Sequence, residues 1–241
     1  VTVHGRSIEA TVTQTFSNDT DQPTEATYIF PLPPYAAVTA MAMKIGTTTI
    51  HAAIEPRQHA AERYERALAQ GAPAALLDQE RPDVFTQSVA AIPARGTVEV
   101  TLRFDTTARY TGGQWELAIP LVVAPRYVPG SATGRPTTGS GRAPDTDRAP
   151  DASHVTPPSS PDAGGKTTIR LHLDGDVTDL ASPTHQLDGT TLVDPHSDHD
   201  AVIRWRAKLP EQALVEPDGF AAVVVTAPEA KPAAATRVHA S

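Results

Sequence analysis

The chain has 241 residues, a formal net charge of −8 and no cysteine. The acidic balance leaves no basic stripe for a nucleic-acid backbone or an anionic membrane surface, and the missing thiols exclude disulfides, thiolate zinc sites, a cysteine nucleophile and a Cys–Gln thioester. No stretch reaches the ~20 apolar residues of a membrane helix, and 23 prolines, about twice the usual share, gather where folded segments stop.

Val1-Thr2-Val3 opens the chain in strand-like alternation, with no initiator Met and no signal peptide. This reads as an internal segment of a longer protein, any export signal lying outside it. Residues 7–17 alternate with period two, placing Ile8, Ala10, Val12, Gln14 and Phe16 on one face and threonines on the other, the pattern of a half-buried strand. The cluster Ser17-Asn18-Asp19-Thr20-Asp21 is a turn. A second strand, Glu25 to Phe30, ends at Pro31-Leu32-Pro33-Pro34, where lost donors and fixed φ stop a ladder. Strands at about 38–45 and 47–54 join through Gly46 as a hairpin.

A helix is expected over about 57–70. Pro56 suits the first turn, Ala60, Tyr64, Ala67 and Leu68 share an apolar stripe, and Gly71 stops it. Strand patterns resume at 84–92, at Val98 to Phe104 and at Trp115 to Leu121. Residues 129–165 are rich in Pro, Gly, Ser, Thr and Asp and poor in large apolar residues, so they are expected to form a disordered insertion dispensable for folding. Strand-like runs follow at 169–173, 201–205 and 220–225, and the Ala/Pro-rich residues 228–241 read as a flexible tail. Many short strands, one helix and no βα alternation predict an all-β fold, a β-sandwich of two antiparallel sheets with the helix inserted. Sixty residues make a thin independent core, so 166–227 is expected to complete the sandwich begun by 1–128. The expected core includes Phe16, Tyr28, Phe30, Tyr64, Leu68, Phe85, Trp115 and Trp205.

The segment Val12-Thr13-Gln14-Thr15-Phe16-Ser17-Asn18, followed by Glu25-Ala26-Thr27-Tyr28-Ile29-Phe30-Pro31-Leu32-Pro33, resembles the opening of a VIT domain, the vault protein/inter-alpha-trypsin inhibitor heavy-chain domain. The resemblance continues through Ala36-Ala37-Val38, Tyr64-Glu65-Arg66-Ala67 with Gly71, Ala75-Leu76-Leu77, Arg81-Pro82-Asp83-Val84-Phe85-Thr86, Val89, Ile92-Pro93, Pro120 and Pro125-Arg126-Tyr127, in order over residues 3–127. Residues 167–227 are similar to the segment that follows in bacterial members, through Ser182-Pro183-Thr184-His185 and Ala201-Val202-Ile203-Arg204-Trp205, with Val202 where an aromatic residue is usual.

The resemblance implies a non-enzymatic extracellular or cell-surface scaffold. It would position an adjacent von Willebrand type A domain and contact a protein or matrix component, and no cofactor is implied. The alternative is a stand-alone glycan- or matrix-binding surface domain. The metal-dependent adhesion chemistry of the type A domain is not carried by these residues, since no Asp-x-Ser-x-Ser run is present. A hydrolase is disfavoured, because no G-x-S-x-G turn presents a serine and no carboxylate pair sits in an apolar context.

Two polar residues stand out in blocks otherwise devoted to packing. Gln14 and Glu25 are expected to be enclosed and held by structural hydrogen bonds, since an unpaired buried amide costs a few kcal/mol. The sharper alternative is a self-formed crosslink, from Gln14 to a threonine hydroxyl or from a carboxyl to Lys44. His185, His196 and His199 with Asp194, Asp198 and Asp200 are dense enough for a metal site. Their Gly/Pro-punctuated setting predicts a solvated turn instead, and no metal ligand is assigned.

Overall fold

The computed structural model describes residues 1–122, 128–134, 143–156 and 165–207, with the backbone of 212–215 and 221–224. The expected tail at 228–241 lies outside these residues. The fold is all-β and sandwich-like. In chain order the elements begin with β1 (Thr2–His4), β2 (Ser7–Ser17), β3 (Thr24–Pro31), β4 (Ala37–Ile45) and β5 (Thr48–His51). Helix α1 (Arg57–Ala69) precedes β6 (Ala74–Arg81), β7 (Val84–Ile92), β8 (Thr97–Thr107), β9 (Arg109–Thr111) and β10 (Gln114–Ile119). A short α2 (Ala152–Val155) leads to β11 (Thr167–Arg170), β12 (His172–Asp174), β13 (Val177–Ala181), β14 (Leu187–Asp188), β15 (Thr191–Asp194) and β16 (Ala201–Ala207). Strands β17 (Gln212–Val215) and β18 (Ala221–Val224) form an antiparallel pair in a separate unit.

The spine is an unbroken antiparallel ladder between β2 and β8, from Ser7 opposite Thr107 to Ser17 opposite Thr97. Both strands alternate, so one face of each is apolar except at Gln14 and Thr106. They sit inside a six-stranded sheet ordered β12-β1-β2-β8-β4-β5, in which β1 and β12 run parallel.

Two apolar cores share this spine. The first lies between the six-stranded sheet, through Ala10, Met41, Met43, Val98, Val100, Leu102 and Phe104, and the sheet β3-β7-β6, through Phe30, Phe85, Val89 and Ile92. The second gathers Val3 from β1, Ile8 from the start of the spine, Leu117, Ile203 and Trp205 from the sheet β13-β16-β10-β9, and Ile169 and Leu192 from the sheet β11-β15-β14. Strands after residue 165 therefore pair with the early ones at two places, β12 on β1 and β16 on β10.

The two-sheet expectation is thus extended to several small sheets around two cores. The strand expected at 47–54 ends at His51. The insertion expected to be disordered is built into the fold at some of its residues. Ala132 bridges to Thr146, Ala152, Ser153 and Val155 are buried, and Val155 packs with Ile29 and Val84. Composition underrates such a segment because a single valine and a few carbonyls anchor it. No helix among the described residues is long and apolar enough to cross a membrane.

Helix α1 starts after Pro56 and stops before Gly71, whose φ of +64° is costly for any residue with a Cβ. Its main neighbour is β6, and Arg57 pairs with Asp78 and Glu80 of that strand. A single strand covers only a narrow stripe of the helix, and Tyr64 is the one helical residue it buries. Leu68, roughly 40° further round than Tyr64, is 42% exposed, so its expected core position is corrected.

Candidate functional site

The polar residues chosen from sequence sit at the rim of the first core. Gln14 is half-buried, and its amide neighbours the Tyr28 hydroxyl. Tyr28 is 36% exposed and so a rim residue, not a core residue. Its ring stacks on Phe30 at 5.3 Å and meets the half-buried Phe16 edge-on at 6.3 Å. Burial raises the Tyr28 pKa, and the nearby Gln14 amide works against that rise. Glu25 is exposed, which corrects the expectation that it is enclosed. It accepts a 2.5 Å hydrogen bond from the Tyr64 hydroxyl of α1. Burial first, and then the negative Glu25 beside it, push the Tyr64 phenol well above its ordinary range. Phe30, Phe85 and Trp205 are buried, and Trp115 is half-buried with its Nε1 donating to the Ala207 carbonyl at 3.4 Å. Lys44 is exposed, opposite Glu99 in the β4–β8 ladder.

The enclosed polar residues of the first core are different ones. Asn18 is buried, and its amide nitrogen lies 2.8, 3.1 and 3.0 Å from the carbonyls of Gln22, Ile92 and Pro93. Its Oδ1 accepts the N–H and hydroxyl of Thr20 at 3.0 and 2.8 Å. One side chain thus ties the turn after β2 to the turn after β7. Gln87, fully buried, has no hydrogen-bond partner for either side-chain polar atom among the described residues. Asn18 is visible in the sequence as a turn residue, but its partners some seventy residues away are not. Gln87 carried no signal at all.

The His/Asp segment is ordered at its core, against the expectation of a solvated turn without fixed geometry. The turn Ser182–His185 follows β13, where Ser182 Oγ accepts the N–H groups of Thr184 and His185 at 3.4 and 3.0 Å, the bonding that makes serine a turn residue. Thr184 Oγ1 accepts the Val202 N–H at 2.9 Å and so fastens the turn to β16. At the end of β15, Asp194 Oδ1 accepts the N–H groups of His196 and Ser197 at 3.0 and 2.9 Å. This aims Oδ2 at His185 Nε2, 3.1 Å away. The side chains of His185 and Asp194 are only 6% and 4% exposed. Burial alone would raise the Asp194 pKa, yet those N–H groups and the His185 ring hold it below the usual carboxylate range.

His199 lies over this pair, its ring stacked on His185 at 4.3 Å with 12° between planes. Its Nε2 is 3.1 Å from the Thr184 carbonyl and its Nδ1 is 2.5 Å from Asp198. The bonds to Asp198 and then to Thr184 raise its pKa. Ligand-capable atoms of His185, Asp194 and His199 all fall within 4.8 Å of one another. His196 and Asp200 stand apart from the trio. His196 is exposed and supplies a backbone N–H, and Asp200 accepts the Leu121 N–H at 3.3 Å.

The family model described as Vault protein inter-alpha-trypsin domain, VIT, matches residues 1–104, the stretch that contains the whole first core. A mouse protein, Protein mono-ADP-ribosyltransferase PARP4, is 36% identical over 135 residues, 54% of this chain and 6% of that protein. Mouse von Willebrand factor A domain-containing protein 5A is 31% identical over 118 residues, 48% of this chain and 15% of that protein. A Dictyostelium discoideum von Willebrand factor A domain-containing protein is 35% identical over 71 residues, 30% of this chain and 8% of that protein. The chain therefore spans only a small fraction of the length of these relatives.

Proposed function

We propose that this chain, whose residues 1–104 form a VIT domain, is a non-enzymatic interaction module that positions an adjacent von Willebrand type A domain. We further propose an extracellular protein or matrix component as its partner and an extracellular or cell-surface location, both on the strength of the family resemblance. The observation that carries the reading is the closed first core. Asn18 holds its turns and Tyr64 its rim through hydrogen bonds, and Gln87 is sealed from solvent. The clearest pocket among the described residues, lined by Met41, Met43, Ile50, Ala52 and Ala75, has a volume of about 30 Å³, room for one or two water molecules and far short of a small-molecule site.

The relatives support a scaffold role. Two of them are named for von Willebrand factor A domains, and VIT and von Willebrand type A families are non-catalytic. The ADP-ribosyltransferase named among them shares only its VIT region with this chain, so its activity is not transferred. The test is calorimetric titration of this chain with the type A domain of its own polypeptide, beside a glycan array. Saturable binding to the domain, with a silent array, is the expected result. Glycan binding without domain binding would overturn the reading in favour of a stand-alone lectin-like surface module.

A further inference from the structure

We propose that His185, Asp194 and His199 form a binding site for a divalent transition metal of the zinc class, a metal clasp within the second core. Two imidazoles and one carboxylate are a donor set suited to zinc, with a fourth position left open to solvent. In a tetrahedral zinc site with arms of 2.0–2.2 Å, neighbouring donors stand about 3.4 Å apart. The His185 Nε2 to Asp194 Oδ2 separation of 3.1 Å is already near that value. The third donor lies within 4.8 Å, so the exposed His199 ring closes by roughly 1–1.5 Å to complete the set.

The outer atoms of all three residues are held as metal ligands require. A ligating imidazole normally donates its other N–H to an oxygen, which fixes both tautomer and orientation. Thr184 Oγ1 stands 2.9 Å from His185 Nδ1, and Asp198 stands beside His199 Nδ1. Each ring therefore presents Nε2 inward with its Nδ1 already engaged. Asp194 is anchored through Oδ1 by two backbone N–H groups, which leaves Oδ2 for the metal. On binding, the metal replaces the Nε2 hydrogen bonds to Asp194 and to the Thr184 carbonyl, and the displaced protons pass to solvent. The three ligands come from the turn after β13, the end of β15 and the loop before β16, so one ion joins three segments of a chain that has no disulfide.

The test uses untagged full-length chain, stripped with chelator and titrated with zinc by calorimetry, with magnesium as the oxygen-preferring control. The expected result is one equivalent of zinc bound, no magnesium response, and a rise in Tm that chelator reverses. His199→Gln, at an exposed position, is expected to fold with the metal-free Tm of the parent and to weaken zinc binding at least tenfold. His196→Gln is expected to bind as the parent does. A second His/Asp group on the surface supplies the discriminating control. His4 and His172 flank Asp174 at 2.5 and 3.1 Å, and the double variant His4→Gln/His172→Gln is expected to retain the zinc response. Absence of zinc binding, or binding that survives His199→Gln and disappears with His4→Gln/His172→Gln, would overturn the proposal.

Discussion

The two cores meet on one strand, β2, and are built by different means. The first closes a sandwich over long alternating strands, and its buried polar groups are few and solitary: Asn18, saturated with bonds, and Gln87, with none. The second is assembled from pieces of three sheets, several only two to five residues long. Polar loops join those pieces, and side chains such as Ser182, Thr184 and Asp194 stand in for missing ladder bonds. Periodicity suffices only in the first. Long strands register themselves through their apolar faces, whereas short ones need specific side-chain ties to settle.

The largest effect that would break this comparison is Trp205→Ala. Truncating a fully buried indole should cost about 3–5 kcal/mol. Because β2 serves both cores, through Ala10 and Ile8, the loss should move one cooperative denaturant transition, read alike by tryptophan fluorescence and far-UV circular dichroism. Two separated transitions would mean that the cores are independent units. Next comes Asn18→Ala, which leaves the Ile92 and Pro93 carbonyls and the Thr20 N–H without their partner and should cost about 1–3 kcal/mol. A midpoint equal to the parent's would show that water replaces the amide at no loss.

Gln87→Met probes the opposite case. It removes two buried polar atoms that have no partner and keeps nearly the same shape, so it should stabilise by about 1 kcal/mol. Destabilisation would reveal a bond to Gln87 beyond those described.

The finest distinction is in pH. In the second region, Arg204 first, with Arg109 assisting, holds the Glu116 carboxyl below its ordinary value despite its partial burial. A lowered folded pKa gives stability that is present above the unfolded value near ~4.3 and is lost as pH falls through the folded one. Glu116→Gln should therefore flatten the acid limb of a stability–pH profile. In the first region the Tyr64 phenol is raised by burial and by Glu25. Its contribution is complete below the unfolded value near ~10 and is lost as pH rises toward the folded one. Tyr64→Phe should flatten the alkaline limb alone, and a change in the other limb in either variant would break the assignment.

Much of the first region was legible in the residue order. The alternation of 7–17 and 98–104, the break at Pro31–Pro34 and the Pro56-to-Gly71 helix are local patterns, and local patterns report local geometry. The facing of single side chains was less legible. Leu68 fits the apolar stripe as well as Tyr64 does, and only the tertiary contacts, with β6 and through Glu25 of β3, decide that one is covered and the other is not. Gln14 and Glu25 looked anomalous and turned out to be rim residues, while Asn18 looked like an ordinary turn residue and is the buried tie.

The residue order alone fixes the all-β class, the long spine strands, the single long helix and the family resemblance over residues 3–127, because each depends on residues near one another in the chain. Tertiary structure alone decided that two cores share one spine, that Val155 anchors part of a Pro/Gly-rich stretch, and that His185, Asp194 and His199 meet. Those outcomes depend on the pairing of β12 with β1 and β16 with β10. Such contacts between distant segments are set by mutual burial and hydrogen bonding, and no short-range periodicity encodes them.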